Sequence, residues 1–337
     1  MAGDHFYTIN PDGELAPLAG YELEGVSCFV FGNRAQGTQP LFRWFHPSTG
    51  DHFYTLDPNG ELAPANGYNS EGTACYVFSS QQPNTVPLFR WFNPGSGDHF
   101  YTTDPSGELA PGSGYISEGI SCHVFPAQQS GTLEFWRWFQ NGLMSNFTFD
   151  TGIPFNDRLR VMQRHAFAHF RARQCSSLTS QERSDLLNAY KKAIRHSIST
   201  NPNENGSATI GGSQLWINFG NLFPLGDREI AQTLIHEMMH IAGYTHPKRC
   251  DQVTPPAPQV CNPIDIPGDN GGYFGTPPLR AELCINGVQS DAGLLSLSSS
   301  RFLTHSKFLA LDGNTIKADE PIEQIPSGCQ VLEKEAN

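Results

Sequence analysis

The chain has 337 residues, with 21 basic and 33 acidic side chains for a formal net charge of −12. Residues 1–150 hold four arginines, no lysine and fifteen acidic residues (4 − 15 = −11), whereas residues 151–337 hold seventeen basic and eighteen acidic residues (17 − 18 = −1). The length exceeds what one hydrophobic core usually supports, so two domains are expected, 1–150 and 151–337. An acidic, lysine-free first half argues against nucleic acid and anionic membrane as partners, and no apolar run is long enough to span a bilayer.

The first domain is a repeat. Gly-Asp-His-Phe-Tyr-Thr begins at residues 3, 50 and 97, a spacing of 47, and each unit finishes with Arg-Trp-Phe at 43–45, 90–92 and 137–139. Strand-like aromatic runs alternate with Pro, Gly, Asn and Asp turns. Three short-stranded units suit an all-β, closed three-fold structure, β-trefoil-like or propeller-like, because closure removes exposed sheet edges. The first copy lacks a preceding Arg-Trp-Phe strand and the last supplies one, as expected if the ends meet. Residues 145–149 read as the decayed start of a fourth copy. Cys28, Cys75 and Cys122 occupy equivalent positions, which predicts small buried hydrophobes with free thiols.

These units resemble a repeat family named by its His-Phe-Tyr-Thr signature, found appended to secreted enzymes and described as lectin-like. The resemblance covers about the first 145 residues and implies binding of a glycan or a cell-surface ligand. Asp4, Asp51 and Asp98 with His5, His52 and His99, or Glu24, Glu71 and Glu118, would then offer three equivalent weak sites that gain by multivalency. Aromatics repeating in register also read as core, and a repeated Asp-His pair as a satisfied structural hydrogen bond. The carbohydrate-binding residues are therefore unassigned.

Residues 151–225 read mainly as helix. Residues 156–173 carry apolar Leu159, Val161, Met162, Ala166, Phe167 and Phe170. Thr179 to Glu182 is a capping box opening a second helix that runs through His196. Arg158, Arg160, Arg164, Arg171 and Arg173 suit either a solvated face or attraction of acidic groups, and His165, His169 and His196 read as packing or surface residues. Residues 214–219 read as a strand. Asp227 is the expected N-cap of a buried helix containing Ile230, Ala231, Leu234, Ile235, Met238, Met239 and Ile241.

That helix carries the chemistry. Residues 236–246 read His-Glu-Met-Met-His-Ile-Ala-Gly-Tyr-Thr-His. Histidines four apart share one helix face, so His236 and His240 can reach one metal ion. Gly243 can take the left-handed conformation that ends the helix and returns His246 to the same metal. Three neutral ligands leave a position open for water, the arrangement of a catalytic zinc site. Glu237 is then the general base acting on that water and the acid for the leaving amine.

The segment resembles the zincin metallopeptidases, with ligand spacing like that of the metzincins, His-Glu-x-x-His-x-x-Gly-x-x-His. It implies Zn2+ held by His236, His240 and His246, catalytic Glu237, and a protein or peptide substrate. Methionine occurs only at positions 1, 144, 162, 238 and 239. None lies downstream to form the metzincin methionine turn, so the resemblance is to zincins in the broad sense. Tyr244 or Tyr273 could donate to the developing oxyanion, as tyrosines do in several zincins, although a Gly-flanked tyrosine also packs a turn.

Of the remaining cysteines, Cys250 and Cys261 flank a proline-rich loop and are the expected disulfide, which points to an extracellular home. No signal peptide is visible, since the repeat begins by residue 3; a leader outside this sequence and cytoplasmic storage both fit. From residue 291 a helix covering the core is expected. The sequence thus reads as a multidomain protein: a three-fold β domain followed by an α+β, mainly helical zincin domain, a zinc endopeptidase targeted by its repeats. The competing reading is a carbohydrate-binding protein whose metal-binding domain is inactive or non-proteolytic.

Overall fold

A computed structural model describes residues 3–202, 204–245, 276–286, 308–309 and 315–316. The chain divides into two compact units, Met1–Ser145 and Asn146–Asn337, the first all-β and the second largely helical. No described helix is long and apolar enough to cross a membrane.

The first unit contains β1 (His5–Thr8), β2 (Tyr21–Phe31), β3 (Gln39–Phe45), β4 (His52–Thr55), β5 (Asn69–Val77), β6 (Val86–Asn93), β7 (Asp98–Thr102), β8 (Ile116–Val124) and β9 (Thr132–Gln140). Each Arg-Trp-Phe strand lies antiparallel between a His-Phe-Tyr-Thr strand and a long strand. β3 lies between β4 and β5, β6 between β7 and β8, and β9 between β1 and β2. The last strand of the unit thus completes the first sheet, so the ends meet as expected. The pair Phe31 and Tyr76 joins two of these three-stranded groups into one six-stranded sheet, and the bridges Phe29–Phe125 and Phe78–His123 tie the third to them.

Repetition in sequence becomes repetition in packing. Tyr7, Tyr54 and Tyr101, Cys28, Cys75 and Cys122, Val30, Val77 and Val124, and Leu41, Leu88 and Phe135 form one buried cluster. The thiols are free as expected, and burial raises their pKa. β1, β4 and β7 each have one edge that no strand covers, and the tyrosines close it. The Tyr54 hydroxyl donates to the Tyr7 carbonyl at 2.7 Å and accepts the Tyr7 N–H at 2.8 Å. Tyr7 serves Tyr101 in the same way, and Tyr101 serves Tyr54, a closed ring. Gly60 has φ +77, and a Cβ there would lie 2.6 Å from the Trp44 indole, so only glycine permits that ring to seat. Gly13 and Gly107 repeat the arrangement against Trp138 and Trp91.

The second unit contains β10 (Thr148–Phe149), α1 (Phe155–Arg173), α2 (Ser180–Ala189), β11 (Arg195–Ile198), β12 (Gly206–Ala208), β13 (Gln214–Ile217), the short α3 (Phe219–Leu222), α4 (Asp227–Ile241) and α5 (Pro277–Asn286). Its sheet has the order β10-β11-β13-β12, parallel except for the antiparallel edge strand β12. Residues 148–149 therefore belong to this sheet and are not the start of a fourth repeat. The boundary falls at 145/146, ahead of the expected 150/151.

The capping box at Thr179 and Glu182 is present with both bonds. The helix ends at Ala189, however, and His196 lies on β11, where its ring is buried against Phe149. Asp227 is not the N-cap of α4; Gly226 is, and Asp227 sits in the first turn, accepting from Arg160 at 2.7 Å. Arg171 donates to the Cys284 carbonyl at 3.0 Å, so the α1 arginines in part tie α1 to its neighbours. A disulfide joins Cys175 to Cys284 across 109 positions. Cys250 and Cys261 lie outside the described residues. So does most of the helix expected from residue 291, but β14 (Phe308–Leu309) and β15 (Thr315–Ile316) pair as strands.

Candidate metal centre

α4 is buried along its length: each residue from Ile230 to Ile241 is buried. Such a helix is the centre of its unit, and polar side chains on it must find partners. Its contacts come from α1, α2, α5 and β12. His236, Glu237 and His240 are each 3% exposed. The two histidine rings project one turn apart, with centroids separated by 5.0 Å and planes inclined by 72°.

Two hydrogen bonds fix how these rings present themselves. The Glu282 carboxylate on α5 accepts from His236 Nδ1 at 2.6 Å, and the Tyr244 carbonyl accepts from His240 Nδ1 at 2.8 Å. An acceptor on each Nδ1 puts the ring proton there and makes Nε2 the lone-pair nitrogen of both rings. Metal-ligating histidines characteristically show this pattern, with a carboxylate or carbonyl behind each ring. Gly243 has φ +105, and the reversal it permits brings the Tyr244 carbonyl back over His240.

Glu282 is the residue that the sequence reading missed. It stands 46 positions beyond His236, on a helix anchored by the Cys175–Cys284 disulfide and by the ion pair of Arg280 with Glu182. Glu237 packs beneath β12, where a Cβ on Gly206 would lie 3.4 Å from Glu237 Cγ. Tyr244 is one of the two candidate oxyanion donors. Its hydroxyl donates to Asp185 on α2 at 2.8 Å, and desolvation together with that bond pushes its pKa up to about 12. His246 and Tyr273 lie outside the described residues.

His165, His169 and His196 pack as expected. His165 and His196 share a hydrogen bond between their Nε2 atoms at 3.0 Å, and the Thr148 carbonyl accepts from His196 Nδ1. Burial lowers all three pKa values, to about 4 for His196 and about 3 for His169.

In the first unit, Asp4, Asp51 and Asp98 converge, each offering an oxygen within 4.8 Å of the others. Each accepts from a histidine of another repeat and from a tyrosine of its own. Asp4 accepts the His52 N–H at 2.8 Å, His52 Nδ1 at 2.6 Å and the Tyr21 hydroxyl at 2.5 Å. Asp51 does the same for His99 and Tyr68, and Asp98 for His5 and Tyr115. Burial raises the Asp4 pKa, and the bonds to His52 and Tyr21 oppose the shift. Both oxygens of each carboxylate accept bonds from within the unit, so the repeated Asp-His pair is a satisfied hydrogen bond that links one repeat to another. Glu24, Glu71 and Glu118 lie further out, paired with Arg137, Arg43 and Arg90 at 2.7–2.8 Å.

No curated protein and no solved structure matches the chain. A family model described as a domain of unknown function (DUF5648) matches residues 1–78 and again 59–152, over the repeats of the first unit.

Proposed function

We propose that the chain is a zinc-dependent endopeptidase of the zincin type, with a first unit that binds carbohydrate or another surface ligand. The observation that carries the enzymatic half is the pairing of both Nδ1 atoms, to Glu282 and to the Tyr244 carbonyl. It prepares the two Nε2 atoms of His236 and His240 as ligands on one helix face, and the donor set of neutral imidazoles suits zinc. His246 is the proposed third ligand. Zinc, when bound, would supply Lewis acidity that brings the pKa of water near 7 and polarises a substrate carbonyl.

The remaining work falls to this chain's own groups. Glu237, beside His236 and shielded by Gly206, takes a proton from the attacking water and returns it to the leaving amine. Its burial excludes competing solvent. β12 is an edge strand lying against α4. An extended peptide can add to it by main-chain hydrogen bonds and bring a peptide bond over Glu237.

For the first unit, β9 seated between β1 and β2 supports the propeller-like closure over the trefoil-like one. Casein hydrolysis by the full chain tests the enzymatic reading. Cleavage abolished by Glu237→Gln and by o-phenanthroline is the expected result; absent cleavage, or cleavage indifferent to the substitution, overturns it.

A further inference from the structure

A cleft of about 440 Å³ opens in the first unit beside β4 and β6, lined by Glu61, Leu62, Asn66, Arg90, Phe92 and Glu118 among others. Its polar floor is rigid. Arg90 donates to Glu61 through two nitrogens at 2.9 and 3.2 Å and to Glu118 at 2.8 Å, while its guanidinium lies 4.8 Å from the Phe53 ring centroid. Side chains held this firmly lose little entropy on binding. Glu61 and Glu118 nevertheless remain 40% and 34% exposed, so part of each carboxylate faces the cleft.

Two further features recur in all three repeats. Glu61 has φ +55 in a turn held by the Thr55 hydroxyl, which donates to its carboxylate at 2.6 Å, and by its own N–H, which donates to Asp57 at 3.1 Å; Glu14 and Glu108 repeat the conformation at φ 55 and 54. The residue after each is a leucine turned to solvent: Leu15 is 57%, Leu62 73% and Leu109 85% exposed. The same exposed leucine beside the same arginine-bound carboxylate in all three repeats gives each array an apolar edge.

Resting on the reading of the first unit as a carbohydrate-binding module, we infer that this cleft, together with the equivalent arrays of Arg43 and Arg137, binds a neutral saccharide. The Glu61–Arg90–Glu118 array, two carboxylates to one guanidinium, carries a net charge of −1 and offers oriented acceptors that match vicinal hydroxyls. Anions are repelled by the −11 of the first 150 residues. Leu62 and the half-buried Phe92 supply apolar surface for the C–H face of a pyranose ring. Three sites on one rigid unit gain avidity on a glycan-coated surface, by about 100-fold or more over free monosaccharide.

The test applies the full chain to an array of neutral and anionic glycans, alongside Leu62→Ala, the triple variant Leu15→Ala/Leu62→Ala/Leu109→Ala, and Glu118→Gln. Binding to neutral glycans that weakens at least about tenfold in the triple variant, with an unchanged melting temperature, is expected. Glu118→Gln keeps the side-chain shape, so loss of binding there reports acceptor chemistry. Binding unaffected by either variant overturns the cleft assignment while leaving a carbohydrate-binding unit intact. Binding confined to anionic glycans overturns the neutral-ligand claim, and a blank array overturns the carbohydrate reading itself.

Discussion

Removing the Cys175–Cys284 disulfide should weaken the second unit by several kcal/mol. The bridge closes a separation of 109 residues, and the chain-entropy relation gives about 4.8 kcal/mol at 25 °C for a loop of that size, against about 2–4 kcal/mol commonly realised. Both sulfurs are buried, at 5% and 3% exposure for their residues, so the test replaces them with alanine to avoid introducing buried hydroxyls. A second bridge between Cys250 and Cys261 would shorten the loop by eleven positions and change the estimate by only about 0.1 kcal/mol, because the dependence is logarithmic. Cys175→Ala/Cys284→Ala should therefore lower the denaturant-derived stability of the second unit by about 2–4 kcal/mol and its melting temperature by about 5–15 °C, read by calorimetry under non-reducing conditions. The first unit contains neither cysteine and should melt unchanged. A double variant within about 1 kcal/mol of the parent would refute the reasoning.

Glu282→Gln keeps the size of the side chain and removes its charge, so zinc affinity should fall about 10–100-fold in a chelator competition, with thermal stability of the metal-free protein nearly unchanged; equal affinity would show that Glu282 does not orient His236. Tyr54→Phe leaves the buried Tyr7 N–H and carbonyl without the hydroxyl that serves both, and should destabilise the first unit by about 2–5 kcal/mol in urea unfolding. Stability should also fall in acid. His169 and His196 have folded pKa values of about 3 and 4, below the unfolded value of about 6.5, so the folded state stays neutral while the unfolded chain takes up protons. Their contribution is complete above pH 6.5 and is lost as pH falls from 6.5 towards 4, amounting to about 2 kcal/mol for each at pH 5. In chelator-treated protein, His169→Phe should flatten the change between pH 8 and pH 5 by about that amount; an unchanged slope would contradict the assignment.

The parts of the site legible in sequence are those set by local geometry. The four-residue spacing of His236 and His240 and the left-handed Gly243 follow from helix periodicity and from the absence of a Cβ, and both are present. Glu282 and the Cys175–Cys284 bridge were not legible, because each depends on where α5 packs, information that lies outside any short window. The repeats show the same division. The 47-residue period and the buried cysteines were readable, but the partner of each aspartate was not. Adjacent strand residues point to opposite faces, so Asp4 cannot use the ring of His5 and binds that of His52 in the next copy. β11 is not legible as a strand because four residues, Arg195 to Ile198, carry too little period to distinguish strand from helix.

The central claim, a zinc ion held by histidines of α4, is tested most directly by metal analysis of the purified full chain together with X-ray absorption at the zinc edge. The account predicts about one zinc per chain in a first shell of histidine nitrogens, lost in His236→Ala/His240→Ala. A chain without stoichiometric zinc, or one that retains it in the double variant, would contradict the account.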